Sequence, residues 1–137
     1  MRKSTNRPLL LLLLVYAVAS LIHFIHNAEF LGAYPGLPES WTRVGVYFAW
    51  AAMTAVGAAG ALLLHRGHQR IGLFLLAGYA VMGMDSLGHY VLAPLSAHSL
   101  SMNVTILLEV TTAGLVLIAV VRRMIETYLV KRPNRAQ

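Results

Sequence analysis

Histidine and carboxylate side chains interrupt the apolar stretches of this 137-residue chain at helical spacings. His23 and His26 are three residues apart, and Asp85 and His89 are four residues apart. Residues at these spacings share one face of a helix. Ionisable groups are costly to place in hydrocarbon, so their presence in a membrane span marks a functional site by default. Imidazole together with carboxylate suits Zn or Fe and, less specifically, Cu.

We therefore predict a His/carboxylate site that binds a transition metal, with Zn or Fe favoured over Cu. Its predicted ligands come from three helices and are His23, His26, Asp85, His89 and Glu109. Glu109 or Asp85 is the predicted general base, acting on a metal-bound water in a membrane hydrolase or oxidoreductase. Haem is disfavoured, because these carboxylates do not suit the apolar wall of a haem pocket. Residues predicted to support the ligands or to line the mouth are Asn27, Glu29, Tyr47, His98 and Asn103.

Two other functions use the same side chains. Chains of Asp, Glu and His also relay protons or ions in transporters and sensor subunits. Transport ranks second, because the other half of the membrane offers few polar side chains beyond Tyr79 and Thr112. The third alternative is a non-catalytic membrane subunit in which the polar cluster only fixes helix packing.

Composition places these residues in a membrane scaffold. The chain is 58% hydrophobic and 12% charged, against about 25% charged in a typical soluble domain. Four apolar stretches each reach the roughly 20 residues that cross a bilayer. We predict an all-α integral membrane four-helix bundle, a single domain over residues 1–137, with helices at 8–30, 44–64, 71–91 and 100–121 and an extension to 130. The chain has no cysteine, which excludes disulfides and thiolate metal sites.

The basic residues predict the orientation. Ten of the eleven lysines and arginines lie in the N-terminus, the 66–70 turn and the C-terminus, and Arg43 is the exception. The positive-inside rule therefore predicts cytoplasmic termini in a multi-pass protein of the cell membrane, with the bacterial inner membrane as the expected location. The net charge of +6 is interpreted as topology and headgroup contact, not as nucleic-acid binding. The N-terminus resembles a signal peptide, with Ala17–Ala19 as a cleavage signal, but the apolar run continues through Ile25, so we predict a retained helix.

The polar residues of the predicted site lie at similar depths in the membrane. At about 1.5 Å per residue, His23, Asp85 and Glu109 all lie roughly 12–13 Å below the outward end of the bundle. His26 and His89 lie nearer that end. The predicted site therefore faces outward, where a lipid or another apolar substrate could reach it. Glycine- and alanine-rich faces on the second and third helices predict close packing, within one chain or in a homo-oligomer.

Overall fold

The structure, a computed structural model, describes residues 7–130. Within this range it has no strand and holds four helices that are long and apolar enough to cross a membrane. They are α1 (Arg7–Glu29), α2 (Arg43–His65), α3 (Gln69–Met84) continued by the short α4 (Gly88–Leu92), and α5 (Leu100–Ile125). The prediction of an all-α protein with four apolar helices is confirmed, whereas the orientation of its termini stays a prediction. Five basic residues used for that prediction lie outside the described residues: Arg2, Lys3, Lys131, Arg132 and Arg135.

Local sequence accounts for where two of the helices begin. The Thr42 side chain accepts a hydrogen bond from the Gly45 backbone N–H at 3.0 Å and caps α2. Ser99 does the same for Met102 at 3.3 Å and caps α5. Hydroxyls suit this position because they satisfy backbone donors that the first helical turn leaves free. Ser40 lies in the turn that precedes Thr42.

The helices form a ring in which each one packs against two neighbours. The principal contacts join α2 with α3, α3 with α5, α5 with α1, and α1 with α2. Glycines permit the closest of these approaches. Gly60 and Gly72 bring α2 and α3 together, and a Cβ on Gly72 would lie 2.7 Å from the Leu64 backbone nitrogen. The predicted close-packing faces therefore meet within one chain.

The two ends of the bundle differ in chemistry. We call the end with the connections 30–42 and 93–99 the histidine end, and the opposite end, with Arg7 and the 66–68 turn, the basic end. The core towards the basic end is apolar and is built from Leu9, Leu13, Leu64, Leu73, Leu76, Val116 and Val120. Large apolar side chains such as Leu14, Phe48 and Phe74 cover the outside of the helices, as expected of a surface in contact with lipid.

A break interrupts the third membrane-crossing segment at the histidine end. Residues Asp85–Leu87 form a single 3-10 turn between α3 and α4. The sequence predicted one continuous helix over 71–91. A 3-10 turn winds more tightly than an α-helix, so it changes the directions in which Asp85, Ser86 and His89 project.

Candidate functional site

One face of α1 supplies the inward-pointing polar side chains of the histidine end. Ser20, His23 and Asn27 are all buried. Their spacing of three and four residues keeps them on one helical row that faces the bundle interior. His26 lies off this row and is only partly buried. Its two ring nitrogens lie 2.9 Å from the Tyr34 hydroxyl and 3.1 Å from the Ser101 hydroxyl. The structure therefore does not bring His26 together with the other predicted ligands.

Glu109 is the buried carboxylate of the site. It projects from α5 and is completely inaccessible to solvent. The Ser86 hydroxyl donates a hydrogen bond to its Oε2 at 2.5 Å, and His23 Nε2 lies 3.7 Å from the same oxygen. Its second oxygen, Oε1, makes no hydrogen bond of standard geometry within the described residues, and the buried Ser20 hydroxyl is a neighbour of this carboxylate. Glu109 thus joins α1, α5 and the 3-10 turn at one point.

The hydrogen bonds of Thr105 favour one tautomer of a neutral His23. The Thr105 hydroxyl donates its single proton to the Met102 carbonyl at 3.0 Å. With its proton used there, it accepts from His23 Nδ1, which lies 3.4 Å away. This assignment places the His23 proton on Nδ1 and leaves a lone pair on Nε2, the atom that faces Glu109. Nε2 and Glu109 Oε2 are 3.7 Å apart, so the two groups must approach each other before a proton can pass between them.

His89 is buried beside this pair, and Asp85 is not. Asn27 Nδ2 donates to His89 Nε2 at 3.2 Å, and the His23 and His89 ring centroids are 5.4 Å apart. Within residues 7–130, His89 Nδ1 and Asn27 Oδ1 are buried without partners. Asp85 is exposed. The predicted pairing of Asp85 and His89 on one helical face is changed by the 3-10 turn that begins at Asp85.

Tyr34 belongs to the site, although it lies in the connection between α1 and α2 and was not among the predicted site residues. It follows the 3-10 turn Leu31–Ala33 and folds back into the bundle, where it is buried. Its ring centroid lies 5.0 Å from that of His89, 5.8 Å from that of His26 and 6.5 Å from that of His98. Burial raises the pKa of Tyr34 to about 12, so its hydroxyl remains a neutral hydrogen-bonding group at physiological pH.

The remaining predicted mouth residues hold the connections in place. Arg43 lies 2.7 Å from Glu29, and the Tyr47 hydroxyl donates to the same carboxylate at 2.7 Å. Asn103 accepts from the Tyr90 hydroxyl and donates to two carbonyls of the 93–99 connection. His98 is buried, and its Nδ1 donates to the Pro94 carbonyl at 3.1 Å. These contacts bind the segments of the histidine end to one another.

A cavity of about 880 Å³ opens beside the buried cluster, between α1, α2 and the third membrane-crossing segment. Its polar wall is formed by His23, Asn27, Asp85, Ser86 and His89. The rest of the lining is mainly apolar and includes Val46, Ala49, Met53, Val81, Met82 and Met84, with Ser40, Trp41 and Thr42 at the rim. A large apolar space with a few convergent polar groups is the usual form of a small-molecule site.

The geometry of the cluster bears differently on metal binding and on proton exchange. In residues 7–130, no group of three His, Cys, Asp or Glu side chains is arranged to hold a metal ion. The nearest approach to one is the trio His23, His89 and Glu109. The hydrogen bond from Ser86 to Glu109, with His23 Nε2 3.7 Å from the same carboxylate, is in contrast suited to proton exchange beside a cavity.

The sequence contains only weak indications that Ser86 and Tyr34 belong to the site. Ser86 follows Asp85 directly, and only the 3-10 turn lets both side chains reach the cavity. Tyr34 lies in a Pro- and Gly-rich connection, where an aromatic residue also fits the membrane interface.

Comparison with protein-family models, with curated proteins and with solved structures finds no match to this chain.

Proposed function

We propose that this chain is a small integral membrane protein that binds a lipophilic small molecule in the cavity at the histidine end and performs acid–base chemistry on it. One observation carries the proposal. Ser86 lines the cavity and donates its proton to the buried Glu109 at 2.5 Å. The hydroxyl therefore connects the space for a ligand with a carboxylate that is shielded from water.

Each residue of the cluster has a role in this proposal. Asp85 is exposed in the cavity and would contact the ligand directly as base or acid. Ser86 would take a proton from the ligand while passing its own proton to Glu109, and the reverse transfer would restore both groups. His23 Nε2, 3.7 Å from Glu109, would share the proton held there. His89 and Asn27, which line the same wall, would shape the polar end of the cavity around the ligand.

The apolar core supports binding and catalysis over transport. The buried residues towards the basic end are leucine and valine, such as Leu73, Leu76 and Val116. The Tyr16 hydroxyl donates to the Tyr79 carbonyl at 3.0 Å and lies beyond Glu109 in that direction. A proton pathway needs hydrogen-bonding groups or water across the whole membrane, and this core offers apolar side chains instead.

A bound metal is a second candidate, favoured by two unengaged positions. They are His23 Nε2 with its lone pair and Glu109 Oε1, which is unpartnered within the described residues. His89 Nδ1 carries the proton while Asn27 donates to Nε2, so His89 would join them only as its other tautomer. Imidazole and carboxylate suit Zn or Fe, which would supply a Lewis acid for the same substrate. Elemental analysis of purified protein tests this candidate. Stoichiometric metal that is lost in a folded His23→Ala/His89→Ala variant supports it, and protein without metal after purification free of chelators contradicts it.

The primary proposal is tested by extracting the purified protein with solvent and identifying small molecules by mass spectrometry. Ala49→Trp fills the cavity, because Ala49 lines it. Ala51→Trp is the matched control, because Ala51 is an exposed residue of the same helix outside the lining. We expect a molecule that is enriched with the wild type and with Ala51→Trp and absent from Ala49→Trp. Equal recovery from both tryptophan variants, or no enriched molecule in any of them, would contradict binding in this cavity.

The chemical step has its own readout. Asp85→Asn and Glu109→Gln keep the size of the side chain and remove its acid–base function. We expect Glu109→Gln to retain the extracted molecule in full and Asp85→Asn to retain it at least in part. Both variants should hold it in a form that differs from the wild-type mixture, because the substrate no longer turns over. An identical ratio of forms in all three proteins would show binding without chemistry.

A further inference from the structure

The charge of the cavity lining narrows the class of ligand. Asp85 is the sole Asp or Glu among the described lining residues, and they include no Lys or Arg. Arg43 begins α2 at the rim but lies 2.7 Å from Glu29. Its charge is therefore already matched by a carboxylate. The lining thus offers a carboxylate without a competing cation.

One unpartnered atom behind the same wall agrees with this charge. Asn27 is buried, and its Oδ1 accepts no hydrogen bond within residues 7–130. Its amide nitrogen is already used, since it donates to His89 at 3.2 Å. The Asp85 carboxylate is the acceptor exposed in the cavity, and a small side-chain rearrangement would bring the closed-off Asn27 oxygen within reach of a ligand. An ammonium group is a donor with no acceptor capacity, so it complements both.

The rest of the cavity is suited to a hydrocarbon body. Val46, Ala49 and Met53 line it from α2, and Val81 and Met82 line it from α3. Methionine side chains adapt to irregular apolar ligands. The Trp41 indole at the rim supplies an aromatic face, a surface that attracts cations.

The packing of α2 on α3 shows where such a ligand reaches the cavity. Gly57 and Gly60 hold these helices in close contact in the half towards the basic end, where a Cβ on Gly57 would lie 2.5 Å from the Tyr79 ring. Towards the histidine end, the facing residues line a cavity instead of packing against each other. Val81 and Met82 are exposed there, so the cavity wall is continuous with the apolar outside of the bundle. A ligand whose hydrocarbon tail is embedded in the bilayer can therefore enter the cavity laterally from the membrane.

We propose that the cavity takes a lipophilic amine, a molecule with one protonated amino group and a hydrocarbon body, which enters between α2 and α3 from the membrane. This inference rests on the proposed function and specifies its substrate class. The ammonium group lies against Asp85 and Asn27, and the hydrocarbon lies among the methionine, valine and alanine side chains. The acid–base cluster of Ser86 and Glu109 is then adjacent to the polar end of the molecule.

The test uses the full chain in phosphatidylcholine nanodiscs, with dodecylamine as the probe and dodecanol and dodecanoate as probes of matched length. Thermal unfolding, followed by tryptophan fluorescence, is measured against probe concentration. We expect dodecylamine to raise the midpoint saturably in the wild type. Asp85→Asn should weaken its apparent affinity about tenfold, which corresponds to ~1.4 kcal/mol. Asp85→Glu should restore most of it. Glu39→Gln, which removes an exposed carboxylate outside the cavity, should bind as the wild type does.

The outcomes separate this inference from the proposed function. If dodecanoate or dodecanol binds as tightly as dodecylamine and Ala49→Trp abolishes that binding, the amine specificity is wrong and the cavity remains a ligand site. If Asp85→Asn binds dodecylamine as the wild type does, the inference is likewise overturned. If no probe stabilises the wild type, the inference fails, and the extraction experiment decides separately whether the cavity holds another class of molecule.

Discussion

The two carboxylate oxygens of Glu109 have different surroundings. Its Oε2 accepts the Ser86 hydroxyl, while its Oε1 is buried without a partner in the described part of the chain. Such a group is costly to hold in a protein interior. A residue kept only for packing would be replaced with benefit by an apolar one of similar volume, since buried ionic groups are often less stable than apolar substitutes. The burial of Glu109 therefore supports the role in proton exchange that we propose for it.

This argument predicts different results for two substitutions of Glu109. Glu109→Gln keeps the size of the side chain and an acceptor for Ser86, so the free energy of unfolding should change by less than about 1 kcal/mol. Glu109→Ala leaves Ser86 without its acceptor and opens a cavity, which should cost roughly 2–4 kcal/mol. Unfolding in mixed micelles measures both. Equal stability of the alanine variant and the wild type would contradict the buried network.

The burial of Tyr34 predicts that the stability of the protein falls at alkaline pH. Its pKa is raised by burial from 10.0 to about 12, so the folded protein favours the neutral phenol. The resulting stabilisation is complete below pH 10 and is lost as the pH rises from 10 towards 12. Tyr34→Phe lacks this ionisation and also lacks the contact with His26 at 2.9 Å. The variant should be less stable than the wild type at pH 8 by about 1 kcal/mol, and the difference should shrink above pH 10. Parallel unfolding curves across this range would contradict the burial of the Tyr34 hydroxyl.

For individual residues, the sequence predicted which residue types lie together in the site but not the direction in which each side chain projects. His23, Asp85 and Glu109 were predicted at one depth, and His23 and Glu109 do lie in contact. His26 was included because a spacing of three residues can share a face with His23. The inward row of α1 instead continues four residues on, at Asn27. Helical spacing leaves this choice open, and packing against α5 decides it.

At the scale of elements, the 3-10 turn Asp85–Leu87 has the largest effect on the site. It places Asp85 and Ser86 on the cavity wall and His89 in the buried cluster. No proline interrupts this segment before Pro94, so nothing in the local sequence predicted a break. Its cause is tertiary. Ser86 donates to Glu109 of α5, and His89 accepts from Asn27 of α1, and both bonds depend on neighbours that a linear pattern does not reveal.

The contact between α3 and α1 gives a prediction at the element scale. A Cβ on Gly83 would clash with the Tyr16 hydroxyl. Tyr16 is completely buried and donates to the Tyr79 carbonyl, so it has no free space into which to move. Gly83→Ala should therefore destabilise the protein by about 1–3 kcal/mol. Gly78→Ala on the same helix is the matched control, because a Cβ there meets no atom within 4 Å. That variant should be neutral or slightly stabilised, since alanine favours helix more than glycine does. Equal effects of the two substitutions in thermal unfolding would contradict this packing.

For the whole molecule, hydrophobic length and composition were sufficient to predict four apolar helices. The concentration of polar residues at one end was also visible in the sequence. The cavity was not, because it results from how α2 and α3 diverge beyond their glycine contacts. Helix divergence depends on side-chain volumes at interfaces that only the assembled bundle defines. The distinction between a metal centre and a hydrogen-bonded site beside a cavity has the same origin, since it depends on the directions of side chains and not on their depth.

The asymmetry between the two ends predicts the orientation of the whole molecule. Arg7, Arg66 and Arg70 lie towards the basic end, which the positive-inside rule places in the cytoplasm. The chain has no cysteine, so single cysteines can report sidedness without background. Glu39→Cys, at the histidine end, and Gln69→Cys, at the basic end, replace exposed residues. In intact cells, a maleimide that cannot cross membranes should label Glu39→Cys alone, and Gln69→Cys should react after permeabilisation. The reverse pattern would turn the cavity and its acid–base cluster towards the cytoplasm, and a lipophilic amine would then have to come from the inner leaflet.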